Sequence, residues 1–165
     1  MLTVDIMCQQ AVGDALYVNR PIAVPGTLGS VPSDPFASWI TGLDWTGFVS
    51  PDLTATGDPD GDGMHNFQEF AFGLDLTLGS SVNPLSVPLE AGAGTFSHTR
   101  RNPNLTQLNC TVFISKDLQN WVANGSGGSQ TPDSESAEIQ TVAVQVDATP
   151  LDPPGGKLFV RVQAK

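Results

Sequence analysis

Leu108-Asn-Cys110-Thr-Val112-Phe-Ile114 places apolar side chains at every second position, alternating with Gln107, Asn109, Thr111 and Phe113. A period of two sends alternate side chains to opposite faces of an extended chain, so this run predicts a half-buried strand. The same alternation recurs toward the C-terminus, where Val142, Val144 and Val146 interleave with Ala143 and Gln145. It returns once more where Leu158, Val160 and Val162 interleave with Phe159 and Arg161. Upstream, Thr95-Phe-Ser-His-Thr-Arg100 reads as a further strand entering a turn at Arg101-Asn-Pro103-Asn104. Gly125-Ser-Gly-Gly-Ser129 reads as a flexible connection after Trp121, a residue expected to close the β core. One wet face and one dry face per strand is the pattern of antiparallel sheets packed in two layers. The expected fold is therefore mainly β, a small antiparallel β-sandwich over residues 81–165.

Ahead of the sandwich the period changes. Asp34-Pro35 is an N-cap followed by a first-turn proline, and Phe36, Trp39 and Ile40 share one helical face, which predicts a short helix stopping near Gly42. A second short helix carries Phe67, Phe70 and Ala71 on its apolar face and ends at Gly73. Residues 34–80 are thus a two-helix segment whose aromatic side chains pack the helices together. Leu2–Ile6 and Ala15–Asn19 read as two β-like runs, and the breaker-rich stretch Pro25–Ser33 reads as a linker. Residues 1–33 are taken as the tail of an upstream β domain plus that linker. With 17 glycines and 13 prolines in 165 residues, turns rather than long helices should dominate.

The chain carries 17 acidic side chains against 7 Lys and Arg, a net charge of −10. That charge repels phosphate backbones, so nucleic acid is excluded as a partner class. No stretch approaches the roughly 18 consecutive apolar residues of a membrane span, and no secretion signal is visible at the N-terminus. Cys8 and Cys110 are 102 positions apart with no CxxC spacing, which makes neither a zinc site nor a disulfide framework. The acids are unevenly placed. Between Pro21 and Thr99 there are nine carboxylates and no Lys or Arg, and four of the nine fall within Asp58–Glu69. Crowding of this kind calls for a cation.

Those twelve residues read Asp58-Pro-Asp60-Gly-Asp62-Gly63-Met64-His65-Asn66-Phe-Gln-Glu69, a match to D-x-D-x-D-G-x-x-N-x-x-E. A hard Ca²⁺ ion needs six to eight oxygens at roughly 2.3–2.6 Å, delivered by a chain that wraps around it. Asp58, Asp60 and Asp62 would give carboxylate oxygens, Met64 its backbone carbonyl, Asn66 a side-chain or water-mediated contact, and Glu69 a bidentate carboxylate. Gly63 would supply a turn free of a Cβ clash. His65 stands where paired EF-hands carry an aliphatic residue, so a single, unpaired, structural EF-hand-like site is expected, with His65 at the surface.

The string Asp58–Asp75, preceded by Phe36-Ala-Ser-Trp39, resembles the calcium-loop module at the C-terminus of secreted planctomycete and verrucomicrobial proteins, a loop related to dockerin, EF-hand and thrombospondin type 3 repeats. Thr95–Arg101, Val112–Trp121 and Leu158–Val162 are similar to the β-rich portion that follows in those proteins, so the resemblance spans residues 34–165. It implies an extracellular or cell-surface setting and a chain that is a piece of a longer exported protein. It also implies a calcium-stabilised accessory role in structure, attachment or carbohydrate binding, with a carbohydrate or cell-surface polymer as partner.

The alternative is a small secreted glycoside hydrolase, which needs two carboxyl groups about 5–10 Å apart across a sugar cleft. Asp44, Asp52, Glu90, Asp117, Asp133, Glu135, Glu138, Asp147 and Asp152 are available, and none lies in a recognisable catalytic string. No G-x-S-x-G elbow supports a serine hydrolase through His98, which is expected at a surface or sheet edge.

Overall fold

The computed structural model describes residues 3–6, 34–90, 92–151 and 157–165. In chain order the elements are β1 (Thr3–Ile6), α1 (Pro35–Thr41), α2 (Asn66–Phe72), β2 (Leu85–Glu90), β3 (Thr95–Arg101), α3 (Pro103–Thr106), β4 (Cys110–Ser115), β5 (Val122–Ala123), β6 (Ser129–Pro132), β7 (Ile139–Gln145) and β8 (Phe159–Ala164). The molecule is mainly β. Two four-stranded sheets run in the orders β1-β8-β4-β5 and β2-β3-β7-β6. Their inner faces meet over Phe96, Val112, Ile114, Val142, Val144, Val160, Val162 and Ala164, which the period-two reading placed on one side of each strand.

Every pairing among β2 to β8 is antiparallel, whereas β1 runs parallel to β8, with Thr3 opposite Phe159 and Ile6 opposite Val162. The first β-like run of the sequence thus adds a strand to the sandwich. The second run, Ala15–Asn19, and the linker Pro25–Ser33 lie outside the described residues. Three strands escaped the sequence reading. β2 contains Pro88 and is broken by two register shifts, which is where a strand tolerates a residue without an N–H. β5 has two residues, and β6 follows directly on the glycine-rich connection, pairing Ser129 with Gln145 and Pro132 with Val142. The turn expected at Pro103 is a four-residue helix, α3, capped by Asn102.

Two expectations about single residues are corrected. Trp121 lies outside the core, half-buried and stacked on the Arg161 guanidinium at 4.3 Å, with its indole N–H donating to Leu118 O. His98 is fully buried within the sandwich, because its position between Phe96 and Arg100 puts it on the inner face of β3.

The helical segment has its own small core of Phe36, Ile40, Phe67, Phe70 and Leu76. Phe36 meets Phe67 and Phe70 edge-on at 5.7 and 5.5 Å. α1 begins where expected, with the Asp34 carboxylate accepting from Phe36 N, and ends at Gly42. α2 stops at Gly73, whose φ of +70° is the left-handed conformation that favours glycine. Helices of seven residues are unstable alone, so packing holds them. α2 is packed on two sides: Phe67 and Phe70 belong to the helical core, while Ala71 and Phe72 belong to the sandwich core. Arg101 secures the junction from β3. Its guanidinium lies 4.8 Å from the Trp39 ring, its Nε donates to Phe70 O at 3.3 Å, and it pairs with Glu138. No helix among the described residues is long and apolar enough to cross a membrane.

Candidate metal centre

Residues 58–65 enter α2 as a loop whose carboxylates fold inward onto the loop's own backbone. Asp58 Oδ1 accepts from Gly61 N at 2.9 Å and Asp62 N at 3.2 Å, and its Oδ2 accepts from Gly63 N at 3.0 Å. Asp62 Oδ1 accepts from Met64 N at 2.7 Å, and Asp60 Oδ1 from Asp62 N at 3.4 Å. The backbone curls because Gly61 and Gly63 adopt φ of +76° and +92°. A Cβ at Gly63 would meet nothing within 4 Å, so glycine is needed there for its dihedral angle and not, as the sequence suggested, for clearance.

This curl brings one carboxylate oxygen from each of Asp58, Asp60 and Asp62 to within 4.8 Å of the other two, a group that could hold a metal ion. Glu69 lies outside that trio. It projects from the first turn of α2 and is fully buried. Four carboxylate oxygens here, Asp60 Oδ2, Asp62 Oδ2, Glu69 Oε1 and Glu69 Oε2, are buried without a hydrogen-bond partner. An unpaired buried carboxylate oxygen is among the costliest groups a fold can hold, and the usual remedies are a cation or a proton.

The electrostatics say the same. Burial first, and then the charges of Asp60, Asp62, Asp58 and Asp75, push the Glu69 carboxyl up to about 8. Asp60 is likewise raised, chiefly by burial and by Asp62. No Lys or Arg lies between Pro21 and Thr99 to offset these charges.

Asn66 occupies the ninth position of the motif, and the structure gives its amide a second task. Nδ2 donates to Asp52 O at 2.7 Å and Thr54 O at 2.8 Å, while Asn66 N donates to Gly57 O at 2.8 Å. Asn66 therefore clamps the 52–57 turn to the start of α2, and its Oδ1 is left buried without a partner. The clamp is tight enough that a Cβ on Gly57 would lie 2.1 Å from Asp52 O. Met64 is half-buried in the curl, its amide already committed to Asp62. His65 is exposed as expected, and its amide donates to Gln68 Oε1 at 2.8 Å in the manner of a capping box. Missing from the sequence reading was the 75–81 turn, which packs onto the loop so closely that a Cβ at Gly79 would sit 3.4 Å from Asp60 O.

Several of the acids considered for a sugar cleft are occupied otherwise. Asp44 and Asp52 cap the turns at Thr46 and Thr54, and Asp117 accepts from Gln119 N and Asn120 N. Asp147 holds Gly127 N and Thr149 N, and Glu138 pairs with Arg101. Asp152 lies outside the described residues.

The trio of Asp58, Asp60 and Asp62 is all carboxylate oxygen, delivered by alternate residues of one curled loop, and could hold a metal ion. Comparison with known proteins finds no matching family model, no matching curated protein and no matching solved structure.

Proposed function

We propose that this chain is a calcium-stabilised accessory module of a secreted or cell-surface bacterial protein, serving structure, attachment or carbohydrate binding. Asp58, Asp60, Asp62, Met64 through its carbonyl, Asn66 and Glu69 would hold one Ca²⁺. The observation that carries the reading is the set of four buried, unpartnered carboxylate oxygens on Asp60, Asp62 and Glu69. A bound divalent cation supplies the positive charge that the surrounding sequence lacks.

The role of the site follows from where its parts are anchored. Glu69 belongs to α2, and α2 contributes to both the helical core and the sandwich core. Neutralising the loop holds α2 in place, and α2 in turn holds α1 against the sandwich through Phe36, Phe67 and Phe70. An ion that binds only the folded form adds RT ln(1 + [L]/Kd) to stability. The secreted setting and the choice of Ca²⁺ among hard cations draw on the resemblance of residues 34–165 to secreted calcium-loop modules.

Calorimetric titration of the chelator-stripped protein with Ca²⁺, and separately with Mg²⁺, tests the reading. One Ca²⁺ site with much weaker Mg²⁺ binding is expected. Asp58→Ala should abolish it, whereas Asp133→Ala, which removes a bond from Thr141 N outside the loop, should leave it unchanged. Equal effects of the two variants, or no binding by the parent, would overturn it.

A further inference from the structure

The inner face of β3 carries a histidine that the proposed cation site does not use. His98 has no exposed surface. Its ring lies between Phe96 at 6.1 Å, nearly parallel, and Phe72 of α2 at 6.1 Å, edge-on. In the two sheet ladders its neighbours are Leu85 and Val142. Nδ1 stands 2.9 Å from Thr99 O, and because a carbonyl can only accept, Nδ1 bears the proton of the neutral ring. Nε2 is then a bare acceptor, buried, with no donor.

A second proton on this ring would create an N–H and a positive charge inside an apolar cage. None of Phe72, Leu85, Phe96 and Val142 can accept that bond or ionise. Among the described residues, the charge that bears on the ring is that of Arg100, a cation. Three of those walls belong to the β2-β3-β7 ladders. The fourth is a seven-residue helix seated on β3 by the bonds from Thr99 Oγ1 to Phe72 O at 2.8 Å and from Arg101 to Phe70 O. Phe72 is thus the wall that a short helix, and not a sheet ladder, holds against the ring.

We propose that His98 is an acid-sensitive latch between the sandwich and α2, and that taking up a proton releases Phe72 and with it the helix from β3. The inference stands on the cage and not on the cation reading. Burial lowers the ring's pKa from its ordinary 6.5, the Thr99 carbonyl partly opposes this, and Arg100 adds to it. The sign follows from linkage. Stability is complete above the unfolded value, and below it the opening equilibrium grows by up to tenfold per pH unit until the depressed native pKa is reached.

The test is amide hydrogen exchange of residues 66–76 and 95–101 between pH 7 and 5, corrected for intrinsic rates, in the parent chain and in His98→Leu with Ca²⁺ in excess. Taking the difference between the two proteins removes the contributions of the carboxylates and of exposed His65. The parent should open up to tenfold more often per unit below pH 6.5, and the variant should not. An equal rise in both would overturn the proposal. Should His98→Leu fail to fold, NMR titration of the His98 ring in the parent decides. A ring that stays neutral until the α2 amides open supports the latch, and a ring that titrates at the ordinary value within an intact native spectrum refutes it.

Discussion

Replacing Glu69 by glutamine separates the charge of this side chain from its shape. In chelator at pH 7 the parent protein must fold around a carboxyl that burial and four neighbouring acids push up to about 8, against 4.5 as the ordinary value. A carboxyl with a raised native pKa favours folding below the unfolded value and opposes it increasingly as pH climbs toward 8. At pH 7, without the ion, keeping this carboxyl protonated in the fold costs about 3 kcal/mol. Glutamine fills the same space without charge, so Glu69→Gln should melt higher than the parent in chelator. At roughly 2–4 °C per kcal/mol for a chain of this size, the rise is about 6–12 °C. Excess Ca²⁺ reverses the order. At 1,000 times Kd the ion adds about 4.1 kcal/mol to the parent and little to the variant, which lacks the bidentate anion. Differential scanning calorimetry of both proteins in both buffers reads all four states. A Glu69→Gln protein that melts below its parent in chelator would show that the buried carboxylate is already satisfied without a cation, and the reasoning would fail.

Asn66→Ala removes a clamp that is independent of the ion, leaving the Asp52 and Thr54 carbonyls without their donor. It should cost about 2–3 kcal/mol by denaturant titration in chelator, and more with Ca²⁺ in excess because the proposed ligand Oδ1 is lost as well; a loss confined to the Ca²⁺-loaded protein would contradict the clamp. Arg101→Ala takes away the cation stacked on Trp39 together with the donor to Phe70 O, and should cost about 2–3 kcal/mol. Glu138→Ala touches only the exposed end of that pair and should cost under about 1 kcal/mol, so equal losses would contradict the junction described for Arg101.

Legibility from the sequence followed the physics that sets each element. Val112, Ile114, Val142, Val144, Val160 and Val162 announced the sandwich because period-two burial is a property of single strands. Asp34-Pro35 and Gly73 announced helix ends because caps are local. β6 stayed hidden because Ser129–Pro132 has no apolar alternation; β7 recruits it through backbone bonds. β5 is too short to have a pattern, and Pro88 disguised β2. Within the site, the spacing of Asp58, Asp60, Asp62 and Glu69 was readable. The clamp made by Asn66 depends on carbonyls 12 and 14 residues away, which no spacing rule encodes. The interior position of His98 was missed because a histidine between Ser97 and Thr99 looks polar in sequence, and only pairing with β7 shows which face turns inward.

The seven residues of α2 also decide where this chain can be divided. A cut near residue 80, where composition changes from acidic and helical to strand-forming, looks natural on the sequence. It would strip Ala71 and Phe72 from the interior of the remaining β piece, leaving a phenyl-sized socket lined by His98 and Phe96. The amino-terminal piece would lose the guanidinium that covers Trp39. Each fragment would thus present a sticky apolar wound that the other was shaped to close, so residues 34–165 should be transplanted, displayed or fused undivided, with β1 kept beside β8.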